Sequence, residues 1–364
     1  MLIIRAAILS LIYLSLAAAA VVAQIPKVSG EVTLSQCWSY AVDGGRQLGT
    51  DGKSVFIASD GGRVAALSAD GSKLWQTELG GSIGSNILAT DAGVFVVTSA
   101  LTTDGAASGE ATLRLLSKET GVPGWTAKLP AGERYSLGSF NGSLIVVARN
   151  GSVESVEAAS GSVRWKREVA IAFVGEPHFG NPHVAVISAA GQVFVIAAAT
   201  GEIESMLKID PAPVSVSQAT GTTVTGDGRG RVTSLSATAK PNWRFKSGGA
   251  VSNVFAIGDR ILAASNDNFL YLLTGRNGGL EWKRRLTGRV AQIGVIGSRY
   301  ALVSSLDQHG ALLIELEHGR VAGQIALDAD EALITSPIGI GEAITLLTDS
   351  AVYGYSTRGC KAKE

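Results

Sequence analysis

A tryptophan recurs at a near-constant interval along this chain, and that interval limits the possible folds more than any other feature. The six tryptophans are Trp38, Trp75, Trp125, Trp165, Trp243 and Trp282. They are separated by 37, 50, 40, 78 and 39 residues, so we interpret the 78 as two steps with one tryptophan absent and the 50 as one step with an insertion. A fixed period of about 40 residues indicates a repeat architecture, in which one small unit is copied and stacked.

Each period carries the pattern of four short β-strands. An apolar, β-branched run such as Ser54–Ala58 is followed by a polar turn, a second apolar run, a glycine turn and the tryptophan. Turns such as Ser59–Gly61 and Arg149–Gly151 contain Asp-Gly or Asn-Gly, which supply the positive φ angles of tight hairpins. Helical spacing is absent over any useful length. The sequence therefore predicts an all-β fold of four-stranded antiparallel units, which are the blades of a β-propeller.

The number of units predicts eight blades. Seven follow one another from about Thr50 to about Leu327. The tail supplies three further strands, which we place at Ala332–Thr335, Ala343–Leu347 and Ala351–Tyr355. The missing fourth strand is the segment Gln36–Tyr40, which carries Trp38. We therefore expect the N-terminal strand to pair with the C-terminal blade, because a ring closed in this way leaves no unpaired chain end at a sheet edge.

The only two cysteines lie on the two sides of this expected closure. Cys37 precedes Trp38, and Cys360 follows Gly359. Superimposed on another unit, they occupy the two sides of one turn, so a disulfide could hold the closure if their Cα atoms approach within about 7 Å. The alternative is two unpaired thiols.

The N-terminal residues have the composition of a secretory signal peptide. Arg5 is followed by an apolar stretch that ends in small residues, and cleavage after Ala23 would leave Gln24 first. We therefore divide the chain into a signal peptide, residues 1–23, and a single propeller domain, residues 24–364. The alternative is a retained membrane anchor. No cysteine stands at the cleavage point, so the lipid attachment signal of bacterial lipoproteins is absent. The expected location is periplasmic or secreted.

The charge balance excludes some classes of partner. Removal of residues 1–23 takes away only one charged residue, Arg5, and leaves 30 basic and 31 acidic residues. This balance offers no basic excess to bind nucleic acid and no basic cluster to hold an anionic membrane surface. We expect a monomer that binds protein partners of the cell envelope.

The glycine turn and its tryptophan resemble the repeat of the pyrroloquinoline-quinone-type propellers. The closest matches are Ala198–Gly201, Lys118 to Trp125, and Ser160 to Trp165. The resemblance covers essentially the whole mature chain and implies that each tryptophan packs between blades on a supporting glycine turn. Within this superfamily, the length and blade number resemble the periplasmic scaffolds that help to assemble outer-membrane β-barrels. Quinone-dependent dehydrogenases of the superfamily use an adjacent cysteine pair, whereas Cys37 and Cys360 are far apart in the sequence.

No residue pattern predicts a catalytic, metal or cofactor site. The four histidines include one local cluster, from Glu176 through His178 to His183, whose spacing matches no standard zinc site. We interpret it as a polar loop stiffened by two prolines. The glycine-rich run Gly226–Gly230 lacks the lysine and the helix of a phosphate-binding loop, so it is predicted to be a hairpin turn. We therefore expect a non-enzymatic protein without a bound cofactor.

The candidate interaction face is the side of the ring that carries the connections between blades. Six polar residues start or lie in inner strands and could line it near the channel mouth: Arg46, Arg134, Glu176, His178, Gln292 and Glu331. An insertion of about ten residues, Ala100–Gly109, is predicted to project from the same side. The leading hypothesis is a scaffold for protein partners. The resemblance to the periplasmic scaffolds implies a role in outer-membrane protein assembly and an association with the outer membrane. The alternative is an enzyme or a quinone- or ligand-binding propeller with a site at the channel mouth.

Overall fold

The protein is an eight-bladed β-propeller, as the tryptophan period predicts. The computed structural model describes residues 32–360, except residues 102–106, 131–133, 170, 220–221, 237–239, 308 and 342. The predicted signal peptide, residues 1–23, lies outside the described residues. Across the part of the chain that is described, 33 strands and one short 3-10 turn, Asp60–Gly62, are present. No helix among the described residues is both long and apolar enough to cross a membrane.

The strands follow one another in eight antiparallel sheets. The N-terminal strand is β1 (Ser35–Ala41). Blade 1 contains β2 (Gly45–Thr50), β3 (Ser54–Ser59), β4 (Arg63–Ser68) and β5 (Lys73–Glu78). Blade 2 contains β6 (Ser82–Ile83), β7 (Leu88–Thr90), β8 (Gly93–Leu101), β9 (Ala107–Leu116) and β10 (Pro123–Leu129). Blade 3 contains β11 (Tyr135–Phe140), β12 (Ser143–Ala148), β13 (Ser152–Glu157) and β14 (Val163–Glu168). Blade 4 contains β15 (Phe173–Phe179), β16 (His183–Ser188), β17 (Gln192–Ala197) and β18 (Ile203–Lys208).

The second half of the ring repeats this order. Blade 5 contains β19 (Pro213–Ala219), β20 (Thr222–Asp227), β21 (Arg231–Leu235) and β22 (Pro241–Lys246). Blade 6 contains β23 (Val251–Ile257), β24 (Arg260–Ser265), β25 (Phe269–Thr274) and β26 (Leu280–Arg285). Blade 7 contains β27 (Val290–Ile296), β28 (Tyr300–Ser305), β29 (Gly310–Glu315) and β30 (Val321–Ala326). Blade 8 contains β31 (Ile338–Ile340), β32 (Ala343–Leu347), β33 (Ala351–Ser356) and the N-terminal strand β1.

The middle strands are continuously apolar because both of their faces are buried between neighbouring sheets. In β3, Phe56 and Ala58 pack against blade 2, whereas Val55 and Ile57 pack against blade 8. The core is therefore a set of apolar layers between successive blades, and each layer draws its residues from two of them. Removing one blade would expose a face on each of its two neighbours, so the blades stabilise one another around the ring.

The ring closes by pairing of the two chain ends, which confirms the prediction. Strand β1 pairs antiparallel with β33, and Trp38 lies opposite Gly354. Cys37 and Cys360 form a disulfide with their Cα atoms 5.1 Å apart, across 323 residues of sequence. The bond takes the place of the turn between the third and fourth strands of blade 8, β33 and β1, where the chain itself is not continuous.

The inner strand of blade 8 lies further along the chain than predicted. We expected it at Ala332–Thr335, whereas β31 begins at Ile338. The amide of Ile334 still donates to the carbonyl of Leu347, so pairing of the inner segment with β32 begins at Ile334. The pairing is then interrupted, and it resumes after Pro337. Proline lacks the N–H group that a ladder requires. The inner strand of blade 2 is divided in a similar way into β6 and β7, which both pair with β8.

Each tryptophan connects its blade to the next one. The indole N–H groups donate to carbonyls in the turn between the third and fourth strands of the following blade: Trp38 to Ala69 (2.9 Å), Trp75 to Lys118 (2.6 Å), Trp125 to Ala158 (3.1 Å), Trp165 to Ala198 (3.2 Å), Trp243 to Gly275 (2.7 Å) and Trp282 to Leu316 (2.9 Å). The ring of each indole lies on the glycine of that same turn. We call this contact the Trp–Gly dock. Six of the eight blade junctions have it.

The two remaining junctions use other contacts. At the junction of blades 4 and 5, Ser205 takes the tryptophan position, and Leu207 packs with Val216 and Leu235. At the junction of blades 7 and 8, Gly323 takes the position, and the side chain of Leu34 from the segment before β1 covers it. The second arrangement places the N-terminal segment across the outer strand of blade 7, next to the disulfide.

The first prediction concerns the glycine of a dock. Gly161 has a φ of 77°, and an added Cβ would lie 2.6 Å from the ring of Trp125. Gly161→Ala combines a left-handed backbone with an overpacked contact, so we expect the free energy of unfolding to fall by about 2–4 kcal/mol. Urea denaturation measures this change. The control is Gly228→Ala, where no atom lies within 4 Å and the backbone is not left-handed. Equal stabilities of the two variants would contradict the docking role.

The second prediction concerns the disulfide. Removal of a cross-link that spans 323 residues increases the entropy of the unfolded chain, so the double variant Cys37→Ser/Cys360→Ser should lose about 2–5 kcal/mol. Because β1 still pairs with β33, the circular dichroism spectrum of the folded variant should match that of the wild type. An unchanged urea midpoint, or a loss of β-structure in the absence of urea, would contradict this interpretation.

Candidate interaction face

The ring has two faces of different construction. The hairpins between second and third strands and the connections between blades lie on one side, which we call the hairpin face. The turns between first and second strands and between third and fourth strands lie on the other, the turn face, and these include the turns of the Trp–Gly docks. The described residues of the insertion Ala100–Gly109 extend β8 and β9, and residues 102–106 lie outside the described residues, so its projection from the hairpin face stays a prediction.

Inner strands carry a β-bulge close to the hairpin face. In β2, β19, β23 and β27, the register shifts around the second residue of the strand, so that this residue has no direct partner in the next strand. The bulged residues are Arg46, Val214, Ser252 and Ala291. A bulge redirects a side chain out of the regular ladder. It gives Arg46 a side chain that is 52% exposed at the mouth of the channel.

Hairpin carboxylates hold the connections between blades. The guanidinium of Arg46 donates to both carboxylate oxygens of Asp60, at 2.5 and 2.6 Å. These hydrogen bonds raise the pKa of Arg46 above its usual value. In blade 6, Asp267 accepts from the amide of Gly248 at 2.8 Å and from the hydroxyl of Tyr271 at 2.5 Å. Burial together with this carboxylate raises the pKa of Tyr271 to about 12. The predicted turn residues Asp60 and Asp267 thus have a structural role.

Glu331 lies in a hydrogen-bonded network within blade 8. Its carboxylate accepts from Thr348 (3.0 Å), Ser350 (2.8 Å) and the hydroxyl of Tyr353 (2.8 Å). Burial alone would raise the pKa of Glu331, but these three hydrogen bonds outweigh it, and the pKa lies below the usual value. The network ties the segment before β31 to the hairpin Thr348–Ser350, so most of the hydrogen-bonding capacity of Glu331 is already used.

Gln292 connects blades 7 and 8 at the channel. Its side-chain amide donates to the carbonyl of Ile334 at 3.3 Å, and its oxygen accepts from the hydroxyl of Ser336 at 3.4 Å. These contacts stabilise the interrupted inner segment of blade 8. As with Glu331, the side chain of Gln292 bonds within the framework, and it serves the junction between two blades.

Arg134 and Glu176 lie together in a pocket between blades 3 and 4. The cavity has a volume of about 150 Å³, and its walls include Arg149 and Pro177. Its apolar residues are Val147, Phe173, Val174, Val186 and Ile187. Glu176 accepts a hydrogen bond from the hydroxyl of Ser136 at 3.2 Å, across the blade junction. Neither guanidinium makes a side-chain hydrogen bond or ion pair with a residue that the structure describes.

Backbone hydrogen bonds fix this pocket. The amide of Arg149 donates to the carbonyl of Arg134 at 3.0 Å, and the carbonyl of Arg149 accepts from the amide of Phe173 at 2.8 Å. The hairpin of blade 3 is thereby bonded to the start of the inner strands of both blades. Gly175 has a φ of 69°, and an added Cβ would lie 2.9 Å from the carbonyl oxygen of Val214, so the part of β15 beside Glu176, where the register against β16 is interrupted, requires glycine.

His178 points away from this pocket and packs against blade 5. Its Nδ1 lies 3.4 Å from the hydroxyl of Ser217. Burial lowers the pKa of His178 below its usual value, which favours the neutral ring at neutral pH. His183 contacts Glu204 at 2.7 Å instead. The two histidines of the sequence cluster therefore have different partners. Within the described ranges, the one group of three potential metal ligands is Glu315, Glu317 and His318, which lies near the turn face.

The six candidate residues thus separate into three kinds. Arg134 and Glu176 share a pocket, Arg46, Gln292 and Glu331 bond within or between blades, and His178 packs toward blade 5. The sequence analysis missed Arg149, because it lies in an Arg-Asn-Gly turn that was interpreted only as a hairpin. Its position after the second strand of blade 3 is the pattern that could have placed it on the hairpin face beside Arg134.

The geometry defines the class of protein: an eight-bladed propeller whose blades are joined by Trp–Gly docks. A sequence model of the family described as outer membrane protein assembly factor BamB matches residues 18–129, 109–204 and 206–334. The chain belongs to this family. No curated protein matches the sequence significantly.

Solved structures share the fold. The crystal structure of BamB from Moraxella catarrhalis has a TM-score of 0.68 at 16% identity, with 91% of this chain and 100% of that chain covered. The computationally designed Ika8 protein has a TM-score of 0.70 at 11% identity, with coverages of 86% and 96%. At these identities the likeness concerns the fold alone.

The third prediction concerns the network of Glu331. Its carboxylate has a lowered pKa in the folded state, so the stabilisation that it gives is present above the unfolded pKa and is lost as the pH falls through the folded pKa. We expect Glu331→Gln to lower the free energy of unfolding by about 1 kcal/mol at pH 7 and by much less at pH 3. Urea midpoints at both pH values measure this difference. The exposed Glu202 supplies a control, Glu202→Gln, that should change little at either pH. A pH-independent loss in Glu331→Gln would contradict the charge-based explanation.

Proposed function

We propose that this protein is a non-enzymatic scaffold of the bacterial periplasm that presents its hairpin face to protein partners. Family membership supports this proposal, since the family is named for outer-membrane protein assembly. The disulfide is also consistent with an oxidising compartment. More specifically, we propose that the protein takes part in the assembly of outer-membrane proteins.

The observation that carries the proposal is the difference between the two faces. On the turn face, glycines and carbonyls of the turns are occupied by the Trp–Gly docks, which the ring needs for stability. On the hairpin face, carboxylates such as Asp60 and Asp267 hold the loops in place, while Arg134 and Arg149 have no side-chain partner among the described residues. A surface that is already ordered loses little conformational entropy on binding. Loops on a rigid framework commonly provide binding sites.

The fourth prediction compares the faces directly. A photo-crosslinking amino acid is introduced at Arg229, in the hairpin of blade 5, or at Arg276, in a turn of the opposite face. Both positions are exposed. In cells that express the full chain, illumination should give discrete protein adducts at position 229 and few at position 276. Adducts at 276 alone, or none at either position, would contradict the assignment of the hairpin face.

Analysis of the purified native protein tests the non-enzymatic part of the proposal. The absorbance spectrum should lack a quinone band, and elemental analysis should find no stoichiometric metal. A stoichiometric chromophore or metal would favour the other hypothesis, a ligand-binding propeller or an enzyme with its site at the channel mouth.

A further inference from the structure

We propose that the pocket between blades 3 and 4 is the anchor for an acidic and apolar segment of the partner protein. The segment inserts a side chain of leucine or phenylalanine size, and a neighbouring aspartate or glutamate binds the guanidiniums of Arg134 and Arg149. We call this cavity the arginine pocket. The inference rests on the proposed scaffold function and adds the chemistry of the partner to it.

The volume and walls of the pocket define the apolar part of the ligand. A cavity of about 150 Å³ accepts a benzene-sized group. Three of its walls, Val147, Val186 and Ile187, are at most 3% exposed, and Phe173 is 5% exposed. An apolar side chain that enters would lose part of its contact with water, which favours binding.

The charges define the second part of the ligand. Arg134 and Arg149 present two guanidiniums against the single carboxylate of Glu176, which already accepts from Ser136. Among the described residues that line the pocket, positive charge thus exceeds negative charge, whereas the formal net charge of the whole chain is zero. Guanidinium binds carboxylate through two parallel hydrogen bonds, and arginine is enriched among the residues that dominate protein interfaces. A carboxylate therefore fits this pocket better than an ammonium group does.

The pocket is also ordered before a ligand enters. Arg149 is held by backbone hydrogen bonds to Arg134 and to Phe173, and Pro177 restricts the opposite wall. Because the backbone is fixed, the main entropic cost of binding is the ordering of two arginine side chains. The pocket is open to solvent on the hairpin face, so a chain can pass over it. This geometry favours a side-chain carboxylate within a segment over a free chain terminus.

In the larger groove on the turn face, most charged side chains of the described residues are already paired, although Lys53 is not. The groove has a volume of about 870 Å³ and lies across blades 1 to 3. The ammonium group of Lys118 lies 3.8 Å from Asp51 and 4.0 Å from Asp91, and Arg164 pairs with Glu157. Its main charged groups thus already interact with one another, which leaves less charge to select a partner.

The fifth prediction uses synthetic peptides and fluorescence anisotropy. A fluorescein-labelled nonapeptide of serine and threonine carries Glu-Leu-Glu at its centre. Matched peptides carry Gln-Leu-Gln, Glu-Ser-Glu, or a C-terminal leucine with a free carboxylate. We expect the Glu-Leu-Glu peptide to bind the full chain most tightly, and the glutamine and serine peptides to bind at least about five-fold more weakly. Binding of the Glu-Leu-Glu peptide should also weaken as salt rises.

Variants of the protein then locate the site. Arg134→Ala and Arg149→Ala should each weaken binding of the Glu-Leu-Glu peptide at least about five-fold, whereas Arg276→Ala on the turn face should leave it unchanged. Neither pocket guanidinium has a side-chain partner among the described residues, so both variants should keep the wild-type thermal midpoint. If one of them fails to fold, the other still tests the site.

Several results would overturn the proposal. They are equal binding of the Gln-Leu-Gln peptide, tighter binding of the peptide with a free terminal carboxylate, an equal loss in Arg276→Ala, or the absence of any binding. These failures are distinguishable from failure of the scaffold function. Protein adducts at position 229 without binding of the acidic peptide would retain the scaffold and remove the arginine pocket as its anchor.

Discussion

The Trp–Gly dock is the contact on which the rest of the structure depends. A single four-stranded sheet with two apolar faces is not stable in water, because it buries neither face. The dock supplies both the burial and the register between blades, since the indole covers the next turn while its N–H bonds a carbonyl of that turn. Closure applies the same contact to the chain ends. Trp38 docks on the turn of blade 1 at Gly71 and Ala69, so the last junction of the ring resembles the others even though β1 and β33 come from opposite ends of the sequence.

The dock also explains why the residues of the turn face can vary less than those of the hairpin face. A turn that must receive an indole requires glycine at one position and a correctly placed carbonyl, so its sequence has little freedom. The hairpins on the other side receive no indole. Several of them still require a glycine, because an added Cβ at Gly62, Gly151 or Gly230 would lie 2.3–2.5 Å from a carbonyl oxygen, but their other positions differ in charge from blade to blade. Some of their carboxylates hold neighbouring connections, as Asp60 does with Arg46 and Asp267 does with Gly248. The residues left over are the ones that can serve a partner. The division follows from packing requirements and does not depend on any resemblance to other proteins.

Periodicity in the sequence predicted the fold because the dock repeats with the blade. The eight blades and the closure could be derived from spacing, since each is a property of one repeat compared with the next. Spacing also placed Cys37 and Cys360 on the two sides of one turn, but it left two unpaired thiols as the alternative to the disulfide that the structure contains. The inner strand of blade 8 was placed a few residues too early because Pro337 interrupts its ladder, and a broken strand resembles a loop in sequence. The pocket was found only in part. Arg134 and Glu176 were identified by their positions at inner strands, whereas Arg149 belongs to a turn whose function depends on the neighbouring blade, and no periodic pattern contains that information.

The arginine pocket illustrates how a repeat protein can acquire a specific site without loss of its framework. The backbone bonds that position Arg149 would form with any residue at that place, because they involve only its amide and carbonyl. Its side chain makes no hydrogen bond or ion pair with the described residues, and the same holds for Arg134, so we expect that either can change without cost to the hairpin. Glu176 differs, since it accepts from Ser136 across the junction and so contributes to the packing of blades 3 and 4. Specificity for a partner can thus reside in the side chains of two arginines, while the backbone hydrogen bonds that position them belong to the framework of the fold.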